Sequence, residues 1–321
     1  MYILEPYDDA LRQILKNGVR KINRTGVDTI AVFGIQSRYK IDEYFPILTG
    51  RKVWPKSIFA ELLWFLSGST NNKDLQALGA NIWTPWVDPE FEKKHGYAEG
   101  SFGPVYGFQL RHFGGYYGNG IGGRENSDKD YMSLDECSHA NLISMEHSFK
   151  KRGDDFRHVN AYGHGGFDQL QYMVNRLKSH PDCRRNLFSL WNPAQVDKMK
   201  LPPCHYTFQV FTYDGKLSGE LTQRSCDFPI GVPANIQFYS ALIYMLAQQC
   251  GLEPYEFVHS TVDSHIYVNQ IDAVEEYLAR SKPDSPKLKL NKVEDIYSYA
   301  VDDFKLIDYN PLPKIEIPVA V

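Results

Sequence analysis

The chain has 321 residues, of which 43% are apolar, 23% are charged and 14% are aromatic, and its net charge is -4. This composition is ordinary for a soluble globular protein, and no apolar run approaches the roughly 20 residues that a membrane span needs. The negative charge argues against nucleic acid as the main partner, so an anionic ligand would have to be met by a local cluster of arginines.

The N-terminal part of the chain predicts two helices with a strand between them. Residues 6–18 carry apolar side chains at a helical spacing that Gly18 ends. Residues 29–40 are rich in β-branched and aromatic side chains and predict a strand. Residues 57–67 present a broad apolar face and predict a second helix, in which Glu61 is embedded.

A long irregular segment follows, from about residue 114 to residue 166. It is rich in glycine and charge and has few apolar pairs at regular spacing, so we expect one short helix near residues 142–149 at most. Long irregular loops inside compact domains are usually functional lids or excursions from the core. We favour a peripheral insertion over a catalytic element.

The second half of the chain mixes helix and strand signals without strict alternation. The indicated elements are a helix over 167–178, a strand over 185–191, a hairpin over 205–223, a helix over 236–251 and short strands from Pro283 onward. Within the hairpin, Asp214-Gly215 joins two strand-like runs, which is a strong hairpin signal. We therefore expect an α+β fold, a single domain over 1–321 built on a large mixed β-sheet with packed helices.

The cysteines and the N-terminus bear on the compartment. The five cysteines are odd in number and show no C-x-x-C spacing, which disfavours both a disulfide framework and a zinc site. The N-terminus has early acids and a helical pattern, not the basic start and apolar core of a signal peptide. We expect a protein of the reducing cytoplasm that binds no metal.

Cys204 is the first candidate for chemistry. It follows Pro202-Pro203, whose fixed φ angles hold it stiffly at the entrance to a strand, and His205 comes next. A thiolate so placed can act as a nucleophile if a cation lies close to it. The alternative is a structural thiol, because free cysteines are among the most buried of residues.

Four arginines form the second group of candidates. Arg184 and Arg185 are adjacent, Arg24 lies in a turn of small polar residues, and Arg224 interrupts a strand-like run. Guanidinium groups bind phosphate bidentately and stay charged, so such clusters are typical of phosphate monoester sites. A solvated surface is the alternative, and it fits Arg224 least well.

Glu61, His265 and Tyr267 complete the set. An acid inside an apolar run is costly to bury unless it is paired or functional, and burial would suit Glu61 to proton transfer. Otherwise it lies on the solvent side of its helix. His265 and Tyr267 alternate with apolar residues as one face of a strand, ready either to bind a sugar hydroxyl or to line a half-buried sheet.

The candidate residues belong to a longer series of motifs along the chain. They are Arg24-Thr25-Gly26, Glu61 to Gly68, Ile82-Trp83 with Trp86, Gly103 to Gly107, Arg184-Arg185, Leu201 to His205, Gln223 to Asp227, Gly231, Pro233, Asn235, His265, Tyr267 and Pro318 to Val321. In this order they resemble the thymidylate synthase family from Arg24 to the C-terminus, apart from the insertion.

The resemblance implies a role for each residue on the nucleotide side. Cys204 would add to C6 of deoxyuridylate (dUMP), with Glu61, Tyr106, His205, Arg224 and Asp227 as further catalytic groups. The implied substrate ligands are Arg24, Arg184, Arg185, Gln223, Arg224, Ser225, Asn235, His265 and Tyr267. Asn235 would select uracil, because an amide matches O4 and N3–H of uracil but not the reversed pattern of cytosine.

The resemblance also implies a folate co-substrate and a second subunit. The co-substrate would be 5,10-methylenetetrahydrofolate, and its implied ligands are Ile82, Trp83, Trp86, Asp227, Gly231 and Val321. Arg184 and Arg185 would reach the phosphate bound by the partner of a homodimer. A nearby Arg224 would favour the thiolate of Cys204, and donors near O4 would stabilise the charge that its addition creates.

Several positions depart from the family pattern, mostly on the folate side. They are Thr84, Ala234, Val262 and the run Phe228-Pro229-Ile230. They leave open a hydroxymethylase relative, in which water captures the one-carbon unit to give 5-hydroxymethyl-dUMP. A catalytically idle nucleotide-binding relative is a further alternative, disfavoured because binding alone needs no nucleophile.

Overall fold

The computed structural model describes residues 1–23, 25–115, 117 and 166–319. The predicted helix near residues 142–149 and nearly all of the insertion lie outside these ranges. Contacts divide the chain into two compact units. The first unit comprises Met1–Leu63, Arg176–Leu187 and Cys204–Val321, and the second comprises Trp64–Asn175 and Phe188–Pro203. A single domain over the whole chain stays a prediction.

Helices and strands are mixed along the described chain. The helices are α1 (Glu5–Asn17), α2 (Pro55–Ser67), α3 (Asn72–Ala77), α4 (Pro89–His95), α5 (Tyr106–Arg111), α6 (Gln169–Ser179), α7 (Gly231–Cys250) and α8 (Ile271–Ala279). The strands are β1 (Val19–Lys21), β2 (Thr29–Lys40), β3 (Leu187–Ser189), β4 (His205–Tyr213), β5 (Lys216–Asp227), β6 (Glu253–Tyr267), β7 (Lys287–Leu290) and β8 (Phe304–Ile307).

A mixed sheet dominates the described residues, as the sequence predicted. Six strands pair in the order β1-β2-β6-β5-β4-β3, and β7 pairs with β8 in a small separate sheet. The β5–β6 pair is parallel, whereas β1–β2, β2–β6 and β4–β5 are antiparallel. The α+β class is therefore confirmed. No helix in the described ranges is both long and apolar enough to cross a membrane.

The predicted hairpin is confirmed, and its turn shows why the signal was strong. Asp214 and Gly215 have φ values of 50° and 73°, the left-handed conformation that a two-residue turn of this kind requires. Strand β5 continues beyond the predicted end at residue 223, because its pairing with β6 extends to Asp227 opposite His265. This longer strand carries several of the candidate site residues.

Helix α7 begins five residues before the predicted start at Ile236. Pro233 lies in its first turn, where a missing backbone N–H costs nothing. Gly251 ends the helix in the left-handed conformation, with φ of 68°. The helix is buried along most of its length and packs on β5 and β6, so it brings Asn235 to the sheet.

The remaining local predictions differ from the structure mainly at their ends. Helices α1, α2 and α6 and strand β2 lie within two residues of the predicted bounds. Strand β3 is shorter than predicted, because the N–H of Asn186 bonds to the carbonyl of Cys183 and closes a turn. Arg185 therefore lies in that turn and not in a strand.

Candidate active site

The antiparallel pairing of β4 with β5 places a cation beside the candidate nucleophile. Cys204 directly precedes β4, and its thiol is half-buried. Arg224, on β5, donates its backbone N–H to the Cys204 carbonyl at 2.8 Å. Its Nη2 lies 4.0 Å from Cys204 Sγ. A guanidinium at this distance supplies the positive charge that stabilises a thiolate.

A buried histidine fixes the orientation of the Gln223 amide. Gln223 Oε1 lies 2.9 Å from Nε2 of His259, on β6, and both side chains are buried. Because the amide oxygen can only accept, Nε2 of His259 must carry the hydrogen. Gln223 Nε2 then donates to the carbonyl of Ser225 at 3.0 Å. The chain His259–Gln223–Ser225 therefore supports the strand segment that carries Arg224.

His205 is held by a tyrosine of α7. Its Nδ1 lies 2.7 Å from the hydroxyl of Tyr239. Burial, with a smaller contribution from nearby His259, lowers the pKa of His205 to about 3, and burial lowers that of His259 to about 3. Both imidazoles are therefore neutral at physiological pH, and His205 holds no exchangeable positive charge for catalysis.

These two histidines make the fold acid-labile. Their folded pKa values lie below the ordinary value, so between about pH 6.5 and pH 3 the unfolded chain binds more protons than the folded one. The stabilising contribution of the two neutral imidazoles is fully present above that window and is lost as the pH falls through it, by on the order of 1 kcal/mol per pH unit for each histidine.

His259→Gln tests this expectation, because an amide can still donate to Gln223. Urea unfolding at several pH values should show a shallower decline in the free energy of unfolding for the variant than for the parent chain. An unchanged decline would contradict the assignment of His259 as a buried neutral group.

Parallel pairing of β5 with β6 brings an acid and the predicted sugar ligands together. Asp227 lies opposite His265, and Ser225 lies opposite Asp263. Burial raises the pKa of Asp227, although the nearby His265 opposes this. The rings of His265 and Tyr267 meet edge to face at 5.4 Å. The structure thus gathers these residues at the ends of two neighbouring strands.

Gly231, at the start of α7, lies close to both Asp227 and Asn235. A Cβ atom built on Gly231 would come no closer than 3.9 Å to Asp227 and 4.0 Å to Asn235 Oδ1, which is ordinary contact distance. Asp227 Oδ1 also accepts from the N–H of Ile230 at 3.3 Å. Gly231 therefore lies beside both the acid and the amide.

The exposure of Glu61 is intermediate between the two predicted alternatives, a buried acid and an acid on the solvent side of its helix. It is half-buried on α2, neither sealed in the core nor on an open solvent face. Its charge acts on Tyr239, whose pKa is raised by burial first and by Glu61 second. Glu61, Tyr239 and His205 therefore belong to one group within the first unit.

Some predicted ligands are not joined to this group. Arg184 and Arg185 are exposed in the turn before β3. Within the described residues, no hydrogen bond or ion pair joins either guanidinium to Arg224 or Ser225. Arg24 and Val321 lie outside the described residues.

In the second unit, Trp83 lies in an aromatic cluster. Its indole meets Trp86 at 6.3 Å and Tyr106 at 5.7 Å, and Tyr106 stacks on Phe65 at 4.7 Å. Trp83 and Tyr106 are buried, whereas Ile82 and Trp86 are half-buried. The cluster presents a partly exposed apolar edge suited to a flat aromatic ligand.

One departure from the family pattern has a local explanation. The hydroxyl of Thr84, in the turn after Trp83, accepts from Asn72 Nδ2 and Gln76 Nε2, each at 3.2 Å. Thr84 therefore anchors this turn to α3. Nothing in the structure explains Ala234 or Val262.

Sequence reasoning missed three residues that support the site, namely Tyr239, His259 and Asp263. Tyr239 lies one helical turn after Asn235, and Asp263 precedes His265 by two positions on the same strand face. These two spacings could have indicated Tyr239 and Asp263 from the sequence. The contact of His259 with Gln223 depends on the pairing of β5 with β6 and has no local signature.

Comparison with known proteins agrees with this geometry. The family model described as thymidylate synthase matches residues 5–321. The thymidylate synthase of Human herpesvirus 8 type P is 39% identical over 98% of this chain and 83% of that protein. For those of Corynebacterium aurimucosum and Homo sapiens, the identities are 39% and 38% over 98% of this chain, covering 97% and 90% of those proteins. The chain therefore belongs to the thymidylate synthase family.

Proposed function

We propose that the chain transfers and reduces the one-carbon unit of 5,10-methylenetetrahydrofolate onto C5 of dUMP, giving dTMP and dihydrofolate. The observation that carries this proposal is the placement of the Arg224 guanidinium 4.0 Å from Cys204 Sγ in a member of this family. A protein that only bound nucleotide would not need a thiol paired with a cation. The compared relatives are named thymidylate synthases, which does not favour the hydroxymethylase.

Cys204 supplies the nucleophile in the proposed mechanism. Its thiolate forms a bond to C6 of uracil, and the electron pair of the C5–C6 double bond moves toward C5 and O4. C5 then carries the nucleophilic character that the free ring lacks. Cys204 is half-buried, so part of its surface is accessible to a ligand.

Asn235 supports the charge that appears on O4. Its amide nitrogen donates to O4, and its amide oxygen accepts from N3–H of uracil. Donors aimed at a developing charge are usually a large part of catalysis. Gly231 lies beside this amide, because a Cβ atom built on it would lie 4.0 Å from Asn235 Oδ1.

Arg224 and Ser225, with Arg24, bind the phosphate monoester in this proposal, and His265 and Tyr267 bind the sugar. Gln223 acts as a support for them, because its amide is held by His259 and donates to the Ser225 carbonyl. Fixing both ends of the nucleotide converts a two-body encounter at C5 into an oriented one.

Glu61 moves protons in the proposed site, and Tyr106 lies near it in the family pattern. His205 is neutral because burial lowers its pKa to about 3, so it orients the Tyr239 hydroxyl and does not act as an acid. In this proposal, proton transfer therefore falls to Glu61, a half-buried residue.

The residues present fit a reduced folate. When bound, the folate supplies the one-carbon unit and the hydride that reduces it. In the family pattern, Ile82, Trp83 and Trp86 of the second unit and Asp227, Gly231 and Val321 of the first unit are folate ligands. Trp83 lies in the aromatic cluster of its unit, and burial raises the pKa of Asp227.

Turnover with dUMP and methylenetetrahydrofolate tests the function. Dihydrofolate should appear by absorbance in equal amount to a product whose mass is that of dTMP. A hydroxymethylated product without dihydrofolate would instead establish the hydroxymethylase.

We propose a homodimer whose interface is the outward face of the sheet. Phe211 and Tyr213 of β4 are 66% and 73% exposed there. With Arg38, Tyr255 and Glu256 they line a groove of about 520 Å³. Exposed aromatic residues on a sheet face are typical of an interaction surface. A second copy would cover this surface.

The position of the exposed arginines supports the same interface. Gln209, also outward-facing on β4, donates to the carbonyl of Arg184 at 3.4 Å. Arg184 and Arg185 therefore lie at the border of the aromatic face, where a docked copy would meet them. We propose that they bind the phosphate in the partner's site.

Mixing two inactive variants is expected to restore activity if the arginines serve the partner's site. Cys204→Ser lacks the thiol, and Arg185→Glu lacks the partner's phosphate ligand. Random pairing makes half of the dimers mixed, each with one intact site, so the mixture should recover about a quarter of the parent activity.

Mixing Cys204→Ser with Asn235→Asp is the matched control, because both residues belong to the same chain's site. That mixture should recover nothing. Activity no higher than that of the separate Cys204→Ser and Arg185→Glu variants would refute the shared site.

We also propose a cytoplasmic location. Cys183, Cys204, Cys226 and Cys250 form no disulfide in the described part of the chain. A reducing compartment preserves a thiol nucleophile such as Cys204. Measuring the distribution of a tagged chain between cell fractions tests this location.

A further inference from the structure

An ion pair lies directly behind the proposed sugar ligand His265. Asp263 precedes His265 by two residues on β6, so both side chains emerge on the same face. Asp263 Oδ1 lies 3.0 Å from Nδ1 of His265, and Oδ2 lies 2.5 Å from Nζ of Lys21 at the end of β1. The three residues form a line from an exposed ammonium to a nearly buried imidazole.

The two groups that face Nδ1 determine where the ring carries its hydrogen. Besides the carboxylate, the backbone carbonyl of Asp263 lies 3.2 Å from Nδ1. Neither a carboxylate nor a carbonyl can donate, so Nδ1 must be the donor. A neutral imidazole with Nδ1–H has a lone pair on Nε2, which can then only accept.

Lys21 keeps the carboxylate ionised and oriented. Burial disfavours the charge on Asp263, yet the hydrogen bonds from Lys21 and His265 hold its pKa below the ordinary range. The side chain of His265 is 11% exposed, against 34% for Asp263 and 48% for Lys21. The ammonium therefore acts from the rim on a histidine that faces the site.

We propose that Asp263 and Lys21 are positioning residues that hold His265 in the Nδ1–H form, so that Nε2 accepts a hydrogen bond from a sugar hydroxyl. The inference rests on the proposed function, in which His265 binds the sugar of dUMP. An acceptor at this point requires a hydroxyl donor and disfavours a nucleotide that lacks the 3′-hydroxyl.

Asp263→Asn separates this role from mere packing, because an amide has the same shape but a donor on one side. Lys21 can only donate, so it attracts the amide oxygen and turns the amide N–H₂ toward Nδ1 of His265. Two donors then face each other, and either the ring or the amide must change. We expect kcat/KM for dUMP to fall by about tenfold or more, the size of one hydrogen bond to a charged group.

Replacing Lys21 in the Asp263→Asn variant should restore part of its activity. In the double variant Lys21→Met with Asp263→Asn, the amide is free to turn its oxygen to His265, and the Nδ1–H form returns. The double variant should therefore be several-fold more active than Asp263→Asn alone, although it carries one more substitution. Asp302→Asn is the matched control, because Asp302 pairs with Lys56 at 2.7 Å on the surface with no histidine beside it.

Two measurements decide the proposal. Nitrogen NMR of histidine-labelled full-length protein at about pH 8.5 should show hydrogen on Nδ1 of His265 in the parent chain and the double variant. The preference for dUMP over 2′,3′-dideoxyuridylate in kcat/KM should shrink in Asp263→Asn and recover in the double variant.

Hydrogen on Nε2 of His265 in the parent chain would overturn the proposal. A double variant no better than Asp263→Asn would overturn it as well. The NMR result does not depend on turnover, so a parent chain with the expected ring form but no activity on dUMP would reject the proposed function alone.

Discussion

Cys204→Ser is expected to abolish turnover while leaving dUMP binding intact. A serine hydroxyl is far less acidic than a thiol, and Arg224 at 4.0 Å cannot make it an anion at neutral pH. Loss of the group that forms the bond to C6 should lower kcat by on the order of 10⁴ or more, as is found when enzymes lose a nucleophile. Rapid-quench turnover and equilibrium binding of dUMP measure the two quantities separately.

Cys250→Ser is the matched control for this variant. Cys250 is a half-buried thiol at the end of α7, outside the proposed site, and burial raises its pKa to about 11. Its replacement should leave kcat within about threefold of the parent value. Turnover that survived in Cys204→Ser would reject the proposed nucleophile, and lost dUMP binding would show that Cys204 has a structural role.

Asn235→Asp is expected to change the preferred base from uracil to cytosine. A carboxylate cannot donate to O4 of uracil, and its own lone pairs would repel those of O4. It can, however, accept a hydrogen bond from the exocyclic amine of cytosine. Sites built to hydrogen-bond a substrate reject mismatched analogues strongly, so kcat/KM for dUMP should fall by at least about 10³. Binding of deoxycytidylate should improve at the same time.

The control for this exchange is Asn175→Asp on α6, the same change in charge at an exposed residue that is not among the proposed site residues. It should leave the ratio of dUMP to deoxycytidylate activity unchanged. If Asn235→Asp kept the uracil preference, the base would have to be selected by another group, and the orientation of uracil proposed for Asn235 would be wrong.

Local signals in the sequence were sufficient for four of the eight helices in the described residues, α1, α2, α6 and α7, and for strands β2, β4 and β5. Helices α3, α4, α5 and α8 and the central strand β6 were not predicted. Asp214-Gly215 predicted the hairpin because its turn needs left-handed backbone, which few residue pairs adopt easily. The start of α7 was predicted too late, because Gly231 and Pro233 are weak helix formers whose tolerance in the first turn depends on position. Strand β3 was predicted too long, because the turn at Asn186 is closed by backbone contacts that composition does not reveal.

The candidate site was predictable where a residue type carries the chemistry by itself. Cys204, Arg224 and Asn235 could be named from type and motif, and the structure joins the first two. The residues that hold the site residues in place, Tyr239 and His259, could not be predicted in the same way. Tyr239 reaches His205 from α7, and His259 reaches Gln223 across parallel strands, so these contacts exist only after the elements pair.

The burial of His205 limits the part that it can take in catalysis. The resemblance implies His205 as one of the catalytic groups. On β4, however, the ring is buried against Tyr239, with a pKa lowered to about 3, and the cation near the sulfur is Arg224. The proposed activation of the thiol is therefore electrostatic.

Intact-protein mass spectrometry with 5-fluorodeoxyuridylate tests the central claim most directly. Fluorine at C5 replaces the hydrogen that must leave as a proton, so a nucleotide bonded through C6 would remain attached in the presence of methylenetetrahydrofolate. We predict a stable mass increase on the parent chain that peptide mapping assigns to Cys204, and no increase on Cys204→Ser. An unmodified parent chain, or a modification at any other residue, would contradict the account.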